Sequence, residues 1–62
     1  MNRRDLERHL REHGCVLHHH GGKHDVWINP RTLARSPVPR HRKIKRGTCI
    51  GICRILGIPT PP

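Results

Sequence analysis

The sequence contains no phenylalanine and no tyrosine, and only one tryptophan, Trp27. Apolar filling therefore falls to Leu, Ile and Val. That suffices for one small core and leaves too little for a second core or a deep enclosed pocket. One ring does not make the stacking platform used by single-strand nucleic-acid binders. Acidic residues are also scarce. Four Asp and Glu stand against 13 Lys and Arg, for a formal net charge of +9. This balance says nothing about fold, but it selects an anionic partner, with nucleic acid ahead of a membrane surface. A membrane-surface protein needs a long amphipathic helix with a basic face, and no segment has that length or regularity. No apolar run approaches the roughly 18 residues of a membrane span. Cysteine is odd in number, at three, which does not suit a disulfide framework. The opening "MNRRDLERHL" is charged and helix-forming, unlike a secretion signal. These absences lead to the expectation of one small cytoplasmic domain with reduced cysteines, acting at its surface.

Periodicity outlines five elements. "NRRDLERHLREHG" predicts a helix, with Asn2 as its cap, Asp5 in a weak capping-box position and Leu6 and Leu10 sharing a face. Gly14 sits where the helix would end. "CVLHHH" and "HDVWIN" predict two strands joined by a "GGK" hairpin turn. Alternation in the first places Val16, His18 and His20 on one side and Cys15, Leu17 and His19 on the other. In the second, His24, Val26 and Ile28 oppose Asp25, Trp27 and Asn29. Each set holds a large apolar residue, so alternation alone does not say which face is core. "PRTLA" is a turn. "RSPVP" is a short strand whose prolines suit an edge. "TCIGICRIL" predicts a second helix, with Gly47 or Thr48 near its N-cap. Its apolar stripe of Cys49, Ile52, Cys53 and Leu56 falls at helical spacing, and Gly57 stops it. The expected fold is α+β, α-β-β-β-α, an antiparallel three-stranded sheet with both helices on one face. It is a single domain over residues 1–58 with a loose tail over 59–62.

Two stretches carry chemistry. "HHHGGKHDVWINP" is dense in histidine. Strand alternation splits His18, His19 and His20, and the paired close ligands of a small zinc site are missing. His20 and His24 have ligand spacing, but a turn intervenes. Cys49 and Cys53 fit a chelating pair or, more simply, a core stripe in which buried thiols act as small hydrophobes. The second stretch, Arg40 to Arg46, holds six basic residues with His41 counted: Arg40, His41, Arg42, Lys43, Lys45 and Arg46. Ile44 is its one apolar anchor. Such a loop before a helix suits phosphate binding.

The pattern Gly22-x-His24-x-Val26-Trp27-x-x-Pro30 resembles the glycine-x-histidine strand of the HicA-type mRNA interferase toxins. "VPRHRKIKRGTCIGICRILGI" is similar to that family's second half, and "RRDLERHLREHG" to its first helix. The resemblance implies a double-stranded-RNA-binding-like fold. It also implies a metal-independent endoribonuclease that cuts mRNA, with no small-molecule cofactor and no membrane partner, held in check by a HicB-type antitoxin. The family's catalytic histidine maps onto His24. Lys23 stands where the family has serine, and the run His18 to His20 is a further departure. An imidazole at His24 can take or give the proton that RNA cleavage requires. Lys23, Arg40 and Lys43 are the nearest candidates to stabilise charge on the phosphate. Two rival readings stand beside this one. The first is a non-catalytic RNA-binding module of the same fold. The second is a small metal-binding structural protein using His18, His20, His24 or the Cys49–Cys53 pair.

Overall fold

The computed structural model describes residues 1–62. Its elements run α1 (Arg3–Glu12), β1 (Val16–His20), β2 (His24–Asn29), β3 (Ala34–Pro39) and α2 (Arg46–Leu56). This is the expected α-β-β-β-α order. The strands form one antiparallel sheet in the order β1-β2-β3, so β2 is central and β1 and β3 are edges. No helix is long and apolar enough to cross a membrane.

Ten apolar side chains make the core. Leu6 and Leu10 come from α1, Trp27 and Val38 from the sheet, and Cys49, Ile52, Cys53 and Leu56 from α2. Cys15 and Ile44 complete it. Trp27 is the largest side chain among them. Truncating a buried Trp to Ala typically costs about 3–5 kcal/mol. For 62 residues the total stability is on the order of 3–9 kcal/mol, so this ring decides whether the domain folds.

Of the two faces that alternation leaves open in β2, the structure buries Asp25, Trp27 and Asn29. The ring's area outweighs that of Val26 and Ile28, and both polar neighbours are satisfied, as burial requires. Asn29 Nδ2 donates to the Leu56 carbonyl at 2.8 Å, and Asn29 Oδ1 accepts from the Arg31 amide at 3.0 Å. His24 is exposed on the opposite, open face, with Val26 and Ile28 half-buried beside it.

Strict alternation fails in β1. Leu17 pairs with Trp27 and His19 with Val26, so the ladder skips His18. A bulged residue of this kind shifts every side chain beyond it to the other face. His20 therefore lies across from Asp25 on the helix side, not beside Val16 as simple alternation predicts. In β3, Pro37 and Pro39 fall in the same phase, opposite Val26 and His24. Their missing N–H groups belong to the sheet's open edge, where no ladder bond is lost.

Helix α1 starts at its expected cap with different bonding, and α2 starts earlier than expected. Asn2 occupies the N-cap of α1 without a side-chain cap bond. Its backbone is drawn instead into a bridge with Lys43, and the Arg3 amide donates to the Arg42 carbonyl at 2.9 Å. Asp5 is free of a capping box and accepts from Arg8 at 3.3 Å. Helix α2 starts at Arg46 with Lys45 as N-cap, ahead of Gly47 and Thr48. It ends as expected at Gly57, whose φ of 70° is left-handed and suits glycine. Residues 59–62 were expected to be loose, yet they lie against the body. Pro61 is buried, Arg46 reaches the carbonyls of Pro61 and Pro62, and His9 Nε2 lies 2.7 Å from the Pro59 carbonyl.

Candidate active site and cationic surface

His24 opens β2, directly after the Gly21–Lys23 turn. The turn is tight at Gly21. A Cβ there would lie 2.6 Å from the His24 carbonyl, closer than real side chains approach. Arg40 fastens the same turn from outside the hairpin. Its guanidinium donates to the carbonyls of both Gly21 and Gly22, and to Asp25 Oδ1 at 2.9 Å. Asp25 also meets His20 Nδ1 at 2.8 Å, a contact that the β1 bulge makes available. Burial raises the Asp25 pKa. The Arg40 hydrogen bond and the charges of His20 and Arg40 outweigh it, so the carboxyl ends below its ordinary value. The position of His24 thus rests on a buried carboxylate and a guanidinium fork.

His24 faces a cleft of about 630 Å³ lined also by Lys23, Pro37, Pro39, His41 and Thr48. The sheet supplies the histidine and the prolines, the hairpin turn supplies Lys23, and the start of α2 supplies Thr48. The N–H groups of the first turn of α2 lack intrahelical partners, which favours an anion at that end.

The basic loop is pinned by Ile44, as its lone apolar residue predicts. Ile44 is buried, and its amide donates to the Met1 carbonyl at 2.7 Å. On either side of the anchor the cations divide. His41 enters the His24 cleft. Arg40 and Arg42 border a second recess of about 450 Å³ together with Asn2, Arg3, Arg4 and Glu7. Lys43 and Lys45 are exposed, while Arg46 leans on the C-terminal segment. Lys23 and His24 therefore share a cleft with one loop residue, and Arg42 shares a recess with the first turn of α1.

Sequence reasoning misses Arg3, Arg4 and Thr48 as neighbours of these sites. Cys15, Cys49 and Cys53 are unbridged and buried. Burial pushes their thiols above the ordinary value, which disfavours the thiolate needed by a nucleophile or metal ligand. No group of three or more His, Cys, Asp or Glu side chains gathers as a ligand set.

These features define a class: small basic α+β domains that present a histidine cleft beside a cationic loop. Residues 3–58 match the family model described as HicA toxin of bacterial toxin-antitoxin. The chain belongs to this family and is the toxin of a toxin–antitoxin pair, with an antitoxin as its partner. No curated protein and no solved structure matches it.

Proposed function

We propose that the protein is a metal-independent endoribonuclease that cuts mRNA in the cytoplasm, stops translation and is neutralised by a HicB-type antitoxin. The observation that carries this reading is His24, exposed in a cleft beside Lys23 and held there by a turn that Arg40 and Asp25 brace. An imidazole titrates near neutral pH and can move the proton of an RNA 2′-hydroxyl. Lys23, which takes the place of the family's serine, supplies a cation at the phosphate. His41, Arg42, Lys43, Lys45 and Arg46 extend a positive track for the RNA strand. Arg40 serves this track indirectly, since its guanidinium is occupied by the turn. An acidic antitoxin surface suits the same +9 chain.

His24→Ala tests the reading. The variant should fold, bind antitoxin and lose growth arrest, with RNA cleavage down by on the order of 10²–10⁴. Undiminished arrest on induction would remove the proposal and favour the RNA-binding module.

A further inference from the structure

His24 is not alone in its cleft. His41 also lines this space, from the loop rather than the sheet. Both rings are exposed. The histidine contacts within the protein run through His9, His13 and His20, so both cleft rings are free to meet a substrate. Pro37 and Pro39 line the cleft too, and they present no N–H to compete for phosphate oxygens.

RNA cleavage through the neighbouring hydroxyl needs two proton transfers. The 2′-oxygen attacks phosphorus, forming the O2′–P bond while P–O5′ breaks. One group takes the 2′-proton, and another gives a proton to the departing 5′-oxygen. The products are a 2′,3′-cyclic phosphate and a 5′-hydroxyl. The protein's two groups finish with their protons exchanged and are reset by solvent. No oxidant, reductant or metal enters the balance. A single imidazole cannot hold both positions, because attacking and leaving oxygens lie on opposite sides of phosphorus. Two imidazoles lining one cleft can divide them.

We propose that His41 is the second acid–base group of the reaction, working with His24 in this cleft. The inference rests on the ribonuclease reading above and adds a catalytic residue to it. Lys23 and the exposed amides at the start of α2 are left to hold the non-bridging oxygens.

The test uses a short RNA with one linkage that the wild-type protein cuts, made with the natural 5′-oxygen or with a bridging 5′-sulfur. Sulfur leaves as a thiolate and needs no acid. His41→Ala should cut the oxygen substrate at least about 100-fold more slowly while binding the RNA nearly as tightly. The sulfur substrate should restore one of the two single variants, His24→Ala or His41→Ala, and leave the other slow. The restored variant is the one that lost the acid. Restoration of both or of neither overturns the pairing. So does a His41→Ala protein with wild-type rate, one whose loss lies wholly in RNA affinity, or 5′-phosphate product ends. A fully active His24→Ala protein would instead remove the ribonuclease reading itself.

Discussion

Asp25 sits under the Gly21–Lys23 turn and does not line the cleft. Its carboxylate is about 10% exposed and is shared by Arg40 and His20. A carboxyl whose folded pKa lies below its ordinary value of 3.8 adds stability above that pH. The contribution is lost as pH falls through the lower folded value. Asp25→Asn should therefore be less stable than the parent near pH 6, by about 3 kcal/mol, the low end of the range for breaking a buried pair because Arg40 keeps some exposure. The gap should shrink below about pH 4. Urea unfolding across that range measures it, and parallel curves would exonerate the carboxylate. Arg40→Lys keeps the charge and loses the planar fork. It should slow cleavage by roughly 10–100-fold through misplacement of His24 while RNA affinity barely moves. A large affinity loss with unchanged turnover would return Arg40 to the RNA-contacting set.

At the scale of elements, helix α2 holds an avoidable weakness. Gly51 lies in its interior, and a Cβ there meets nothing within 4 Å. Gly51→Ala should add about 0.5–1 kcal/mol and raise the melting temperature by a few degrees, with cleavage unchanged. A lower melting temperature would show hidden crowding. The helices and strands were legible because their apolar residues keep one period each: Leu6 and Leu10 in α1, Cys49 through Leu56 in α2. What alternation does not convey is a bulge. Nothing in "VLHHH" marks His18 as the extra residue, because three identical side chains carry no phase. The core face of β2 was equally hidden, since Asp25 and Asn29 look like surface residues until Arg40 and the end of α2 satisfy them. His24 was singled out by the family resemblance, through its place after Gly22. His41 was read as one basic residue among six because the residues that share its cleft come from distant segments.

For the whole molecule, charge sets the terms of association. RNA affinity should fall steeply with salt, with a slope of about −0.7 per phosphate engaged on a single strand. Arg3 and Arg4 share the second recess with Arg42. If the strand runs from the cleft across it, Arg3→Gln and Arg4→Gln together should flatten that slope by roughly one to two. A slope equal to the parent's would confine the RNA to the His24 side. The bridge between Asn2 and Lys43 has a consequence in time as well as in space. It ties the beginning of the chain to a loop made some forty residues later, and α2 must then close over both. The loop bearing His41 is held in place only when the strap before α1 and the helix after the loop are both present. A proteolytic cut between them should therefore loosen the loop and lower the melting temperature, which a nicked preparation would show.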